Sequence, residues 1–164
     1  MYVVGIDVGL SGGIALRVSP AAQAEVYPMP SVQTGNGKVM NMQALTALLK
    51  SFKDRAENDG DSIEVIIEDV HAIVVAGKAS NFRMGLGIGI IHGVIAALGI
   101  PMRRVTAVKW KAQFELLKKN KDASRMKAME IFPYLSSILC LKKNDGLAEA
   151  LLISLYNPSM VNTR

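Results

Sequence analysis

The chain has 164 residues, one cysteine (Cys140) and a formal net charge of +5. This length suits one domain, predicted to span residues 1–164, and a lone cysteine excludes an internal disulfide and a cysteine-based metal site, as expected for a protein of the reducing cytoplasm. The longest apolar run, residues 86–100, is interrupted by His92 and four glycines and is too short to cross a bilayer, so we expect no membrane contact.

The N-terminal segment predicts a β-hairpin with an acid on its first strand. Residues 2–7 and 13–18 are apolar runs rich in β-formers, a glycine-rich turn separates them, and Asp7 ends the first run. A buried carboxylate needs a cation or a hydrogen-bonding partner, so Asp7 indicates a metal site, although an aspartate at a strand end is also a common turn former. A short strand near 25–29 follows. Two prolines and Gly35-Asn36-Gly37 then predict a mobile loop over residues 28–38.

The remainder of the chain alternates between helices and strands. Helices are predicted over about 41–56, 80–98, 107–117, 122–132 and 145–156, and strands over 63–69 and 102–106. A hairpin followed by this alternation predicts an α/β protein with a mixed sheet and helices on both faces. The strand over 63–69 ends in Glu68-Asp69, which point to opposite faces, so one of them shares the face of Asp7.

A second pair of acids begins the last helix. Asp145 and Glu149 are four residues apart and therefore lie on one helical face. Together with Asp7 and a strand acid they provide the oxygen ligands that Mg²⁺ prefers, and Mn²⁺ is expected to substitute. Taken singly, Asp145 also fits an ordinary first-turn acid and Glu149 a solvated side chain. An acid within the apolar run 147–153 is nevertheless out of place unless it faces a cleft.

Three acidic blocks resemble those of the RuvC-type Holliday junction resolvases, and of their shorter phage-like branch in particular. They are Gly5-Ile6-Asp7-Val8-Gly9, Ile67-Glu68-Asp69-Val70 and the run from Asp145 to Ile153. The resemblance extends over roughly residues 1–157. It implies an RNase H-like fold, a homodimer, and nicking of branched DNA that depends on two Mg²⁺ ions, with Asp7, Glu68, Asp145 and Glu149 as catalytic and metal-binding residues.

Basic residues are concentrated in the C-terminal part of the chain. Residues 1–100 carry 7 Lys+Arg against 9 Asp+Glu, whereas residues 101–164 carry 12 against 5. A basic surface beside an acidic centre suits a nuclease, although an acidic protein partner is compatible with the same asymmetry. The side chains predicted to contact DNA, each of which also fits an ordinary surface residue, are His71, Lys78, Arg83, Lys109, Lys111, Lys121, Arg125, Lys142 and Lys143.

Gly85, Gly89 and Gly93 form a stripe along the helix predicted over 80–98. Each glycine costs a helix about 1 kcal/mol relative to alanine, so something is expected to approach the stripe closely. The alternatives are the sheet of the same chain and a second subunit. The resemblance makes the subunit an equal alternative to the sheet, because the corresponding helix of the resolvases is implicated in dimerisation.

The function expected from these patterns is resolution of four-way DNA junctions by paired symmetric nicks, without an organic cofactor. Three alternatives remain open. They are a branched-DNA or flap endonuclease of looser selectivity or an RNase H, one lobe of an actin-like or sugar-kinase ATPase, and a junction-binding protein without catalysis. The ATPase alternative needs a second lobe and a second phosphate loop, which 164 residues do not hold.

Overall fold

The computed structural model describes residues 1–19, 23–35, 37–70, 77–120 and 122–160. The strands are β1 (Tyr2–Asp7), β2 (Gly13–Val18), β3 (Gln23–Pro28), β4 (Ser31–Thr34), β5 (Gly37–Met40), β6 (Ile63–Glu68) and β7 (Met102–Val105). The α-helices are α1 (Met42–Asn58), α2 (Lys78–Ala97), α3 (Ala107–Gln113), α4 (Asp122–Ile131), α5 (Ser136–Leu139) and α6 (Asp145–Ser154). No helix in these ranges is long and apolar enough to cross a membrane.

A five-stranded sheet in the order β3-β2-β1-β6-β7 forms the centre of the protein. The first three strands pair antiparallel, whereas β1, β6 and β7 run parallel. Side chains alternate between the two faces, so that Val4 and Ile67 join a core with α1 and α2, while Val3 and Ile66 join a core with α3, α4 and α6. The predicted mixed sheet with helices on both faces is confirmed.

The segment predicted as a mobile loop contains a second, smaller sheet instead. β4 and β5 pair antiparallel, with Val32 opposite Val39, and Met29 and Met40 are buried at the base of this hairpin. Lys38 Nζ donates to the carbonyl oxygen of Leu10 at 3.5 Å, which ties the hairpin to the turn after β1. The prolines and glycines lie at the ends and the turn of the hairpin, where they are compatible with strand pairing.

Two helices are shorter than predicted. α3 ends at Gln113 instead of 117, because the backbone then adopts left-handed conformations at Glu115 (φ 58°) and Lys118 (φ 60°). α6 ends at Ser154, two residues before the predicted end. The short helical turns at Pro133–Leu135, Ser136–Leu139 and Lys142–Asn144 were not predicted, since each is too short to show a hydrophobic period.

Helix α6 lies directly on β1 and β2 with no side chain between them. A Cβ atom placed on Gly5 would be 2.1 Å from the carbonyl oxygen of Ala150, and one placed on Gly13 would be 2.8 Å from the carbonyl oxygen of Gly146. Gly12 and Gly146 also form an isolated β-bridge. Only glycine permits this approach, and it brings the first turns of α6 to the end of β1 that carries Asp7.

We predict that Gly5→Ala destabilises the protein by at least about 2 kcal/mol, because the new methyl group overlaps backbone atoms that cannot move independently of α6. Chemical denaturation measures this difference. Gly87→Ala in α2 is the matched control, since its Cβ would meet only Met40 Cε at 3.6 Å. The control should gain about 0.5–1 kcal/mol from the better helix propensity of alanine. Equal stability of the two variants would contradict the close contact between β1 and α6.

Candidate metal centre

Three carboxylates from separate elements meet at one end of the sheet. Asp7 and Glu68 end the parallel neighbours β1 and β6, and Glu149 lies on the second turn of α6. One oxygen from each of them lies within 4.8 Å of the others. Asp69 points to the opposite face, where Arg104 Nη1 lies 3.6 Å from its Oδ1. The prediction that only one of Glu68 and Asp69 shares the face of Asp7 is therefore confirmed.

Burial and mutual repulsion make this three-acid cluster (Asp7, Glu68 and Glu149) difficult to ionise. Burial, followed by the charges of Glu149 and Glu68, raises the pKa of Asp7 to about 8. Burial and the charge of Glu149 also raise the pKa of Glu68. At neutral pH the protein alone thus holds a proton among these groups, whereas a divalent cation would permit all three to be ionised.

Trp110 packs beside the cluster. Its side chain is fully buried, and its indole Nε1 has no hydrogen-bond partner. The indole N–H nevertheless lies close enough to Glu68 to lower the pKa of that carboxyl group. A buried donor directed at an all-oxygen ligand set favours the ionised carboxylates that a hard cation such as Mg²⁺ requires.

Glu149 has two further partners, and both approach the same oxygen. Ser124 Oγ donates to Glu149 Oε1 at 3.1 Å, and Lys111 Nζ lies 3.4 Å from that atom. The Lys111 ammonium also lies 5.0 Å from the centre of the Trp110 ring. The Lys111 charge partly offsets the repulsion within the cluster and lowers the pKa of Asp7 and Glu68.

Asp145, the fourth predicted ligand, lies outside the cluster but in the same cleft. Its Oδ1 is 2.7 Å from Nε of Arg125, in an ion pair whose angle is too bent for a hydrogen bond. The cleft has a volume of about 600 Å³. Its floor contains Asp7, Asp145 and Glu149, and its basic wall contains Lys111, Lys118 and Lys119.

The predicted DNA-contacting residues fall into three groups. Lys78, Arg83, Lys109, Lys142 and Lys143 are exposed, and Lys111 lines the cleft. Arg125 is at odds with the prediction, because it is only 6% exposed and is committed to ion pairs within the protein. His71 and Lys121 lie outside the described residues.

The predicted glycine stripe is not packed against the chain's own sheet. Gly85, Gly89 and Gly93 are exposed, and a Cβ on any of them would meet no described atom within 4 Å. The buried side of α2 instead contains Ile91 and Ile95. The exposed side includes Phe82 and Leu86, which are 72% and 55% exposed. Of the two alternatives for the stripe, packing on the same sheet is therefore wrong.

Ser124, and the inward direction of Arg125, were missed from the sequence. Ser124 and Arg125 lie in the first turn of α4, which also carries Asp122, Lys127 and Glu130. The sequence of this helix does not distinguish an arginine that points inward from one that is solvated. Asn144, the residue before α6, does not cap the helix with its side chain, and its Nδ2 donates to the carbonyl oxygen of Ile138 at 2.8 Å. Cys140, which follows an apolar pair, is exposed.

We predict that Asp7→Asn stabilises the metal-free protein, and does so more at pH 8 than at pH 5. The pKa of Asp7 is raised from 3.8 to about 8, so its contribution to stability is present below pH 4 and is lost as the pH rises through 8. Removing the charge should recover about 1–3 kcal/mol at pH 8, since each pKa unit corresponds to about 1.4 kcal/mol and water in the cleft weakens the effect.

Thermal unfolding in EDTA measures this difference. Asp69→Asn is the control, because Asp69 neighbours Glu68 but lies on the opposite face of the sheet. The control should show no gain that grows with pH. An Asp7→Asn variant less stable than wild type at pH 8 would show that the cluster carries no electrostatic strain.

No protein-family model matches the sequence, and no curated protein matches it significantly. The fold is similar to two solved structures of Thermus thermophilus RuvC, one of them in complex with a Holliday junction substrate. Each is 17% identical to this chain, with a TM-score of 0.55, and the alignments cover 94% of this chain and 92% and 90% of the RuvC chains. At this identity the likeness establishes the fold. The predicted RNase H-like fold is confirmed, and it is the fold of RuvC.

Proposed function

We propose that this protein is a metal-dependent endodeoxyribonuclease of the RuvC type, which resolves four-way DNA junctions by paired symmetric nicks. The main support is the three-acid cluster, in which Asp7, Glu68 and Glu149 each offer an oxygen within 4.8 Å of the others beneath a cleft with a basic wall. Similarity to a RuvC structure that contains a Holliday junction adds the substrate class. A single domain over residues 1–164 and a cytoplasmic, DNA-associated location accompany this proposal.

The ligand set suits two Mg²⁺ ions, with Mn²⁺ as a substitute. Asp7, Glu68 and Glu149 would hold one ion, and Asp7 with Asp145 would contribute to the second. When bound, such ions activate water and stabilise charge on a scissile phosphate. Trp110 packs, fully buried, beside the acids, and Ser124 donates a hydrogen bond to Glu149. Lys111, 3.4 Å from Glu149, places a positive charge where a phosphate would approach.

DNA would lie across the cleft and the exposed cations around it. Lys118 and Lys119 line the cleft, and Lys142 and Lys143 immediately precede α6. Lys109, on α3, and Lys78 and Arg83, at the start of α2, are exposed cations that we include among the proposed DNA contacts. Such contacts bind phosphates and position the DNA without reading its sequence.

A homodimer is part of this proposal, with α2 as the contact. The glycine stripe and the neighbouring Phe82 and Leu86 form an apolar surface that is open to solvent in the single chain. Glycines permit two helices to approach closely, and a two-fold dimer matches the symmetry of a four-way junction. Sedimentation equilibrium measures this association directly.

The decisive experiment incubates the protein with labelled four-way, flap, linear duplex and RNA–DNA substrates, with and without Mg²⁺. We expect paired nicks in the four-way junction only when Mg²⁺ is present. Preferred cleavage of flaps would indicate a looser branched-DNA nuclease, cleavage of the hybrid would indicate an RNase H, and binding without cleavage would indicate a junction-binding protein.

We predict that Asp7→Asn, Glu68→Gln, Asp145→Asn and Glu149→Gln each reduce cleavage by at least about 100-fold, because each removes a charged metal ligand. Junction binding should be retained or tighter, since a negative charge near the phosphates is lost. Asp69→Asn is the matched control and should cleave at nearly the wild-type rate. If Asp7→Asn cleaved as fast as this control in Mg²⁺, the assignment of the metal site would be wrong.

We further predict that replacing Lys142 and Lys143 with alanine weakens junction binding and lowers its salt dependence. Each lost phosphate contact should reduce the slope of log K against log salt by roughly 0.9, or about 2 for the pair. Fluorescence anisotropy at several salt concentrations measures the slope. Lys50→Ala on α1, where Lys50 pairs with Asp54 at 2.6 Å, is the control. An unchanged slope would show that the two lysines are ordinary surface charges.

A further inference from the structure

Asp145 presents only one of its carboxylate oxygens to the cleft. Its Oδ1 is buried and lies 2.7 Å from Nε of Arg125, although the side chain as a whole is 42% exposed. The exposed part therefore belongs to the other side of the carboxylate, which faces the cleft that Asp145 lines. A cation that approaches from the cleft meets a carboxylate already paired on its inner side.

Arg125 is held beside Asp145 by the partners of its two terminal guanidinium nitrogens, while its Nε forms an ion pair with Asp145 without a hydrogen bond. Nη1 donates to the carbonyl oxygen of Cys140 at 2.7 Å, and Nη2 pairs with Asp122. With 6% of the residue exposed, the planar group is fixed between α4, α6 and the turn before α6. The planar fork of arginine reaches all three partners at once, which the single ammonium of lysine does not match.

Consecutive residues of α4 hold the two acids of α6. Ser124 donates to Glu149 and Arg125 pairs with Asp145. Within the described part of the chain, the buried polar and charged side chains are Ser124, Arg125 and Ser154. Two of these three therefore position acids of the candidate metal centre. Burying a serine hydroxyl and a guanidinium group costs free energy, so their placement against the two acids of α6 indicates that they position these acids.

We propose that Arg125 is a positioning residue. It makes the affinity for a cation at Asp145 lower than the affinity for a cation at the three-acid cluster. This inference rests on the proposed function and deepens it. The free protein binds one divalent cation at the three-acid cluster, where Lys111 is the nearby cation. The position at Asp145 is weaker, because the guanidinium group already neutralises that carboxylate. A DNA phosphate brings additional negative charge to the cleft, and the second position then fills.

Calorimetric titration of the full-length, DNA-free protein with Mn²⁺ tests this inference without using activity. Wild type should bind one ion, with a second at least about tenfold weaker. Arg125→Met should strengthen the second ion at least about tenfold, since it frees Asp145 without adding a charge. Asp122→Asn is the matched control, because it removes another Arg125 partner and leaves the Asp145 pair. The control should titrate like wild type, even if it unfolds at a lower temperature.

A second comparison remains informative if Arg125→Met does not fold. Asp145→Asn should change the affinity of the first ion by less than about twofold, whereas Glu149→Gln should weaken it at least about tenfold. Equal weakening by both would overturn the inference, as would two ions bound equally tightly by wild type or an Arg125→Met titration identical to wild type. A protein whose Mn²⁺ binding is unaffected by Asp7→Asn would instead overturn the proposed metal-dependent function.

Discussion

The backbone contact between α6 and the first two strands is the constraint on which the metal centre depends. At Gly5, Gly13 and Gly146 no side chain separates helix from sheet, so the position of α6 is set by backbone atoms. Because α6 is buried from Gly146 to Ser154 except at Glu149, it behaves as a central element of the core. Its one inward acid consequently has a fixed distance from Asp7 and Glu68. Side chains in place of these glycines would move α6 away from the sheet and so separate Glu149 from Asp7 and Glu68.

The same arrangement creates electrostatic strain that the rest of the fold must overcome. A pKa of about 8 for Asp7 shows that the metal-free protein resists full ionisation of the cluster at neutral pH. Extensive aliphatic packing on both faces of the sheet supplies the stability that permits this strain. A bound cation would attract the three carboxylates, which repel one another in its absence. Metal binding would therefore relieve the repulsion that destabilises the free protein.

The two faces of the sheet have separate roles. Helices α3, α4 and α6 cover the face that contains the acids, and they also bring Lys111, Ser124 and Arg125 to them. Helices α1 and α2 cover the other face, where α2 buries Ile91 and Ile95 and packs Ile90 and Val94 against the core. The side of α2 that carries Gly85, Gly89 and Gly93 is exposed to solvent. That exposed side and the acid cluster therefore lie on different faces of the sheet.

Local sequence patterns determined the five strands of the main sheet in chain order and the acids that end its central strands. Alternation of side chains predicted that only one of Glu68 and Asp69 shares the face of Asp7, because that property depends only on the strand period. The resemblance to the resolvases singled out Glu68, and the structure places Glu68 in the cluster with Asp7. The β4–β5 hairpin was missed, since prolines and glycines at its ends resemble a loop when the pairing of Val32 with Val39 is unknown.

Only the tertiary structure decided which charges became partners. Arg125 and the neighbouring lysines have the same local pattern, but the packing of α4 against α6 buries Arg125 beside Asp145 and leaves Lys142 and Lys143 in solvent. Asp145 lies outside the three-acid cluster, and its partner is likewise this arginine, 20 residues away in sequence. Helical spacing places two acids on one face, whereas the distance of each from a third residue depends on contacts between elements that no local period encodes.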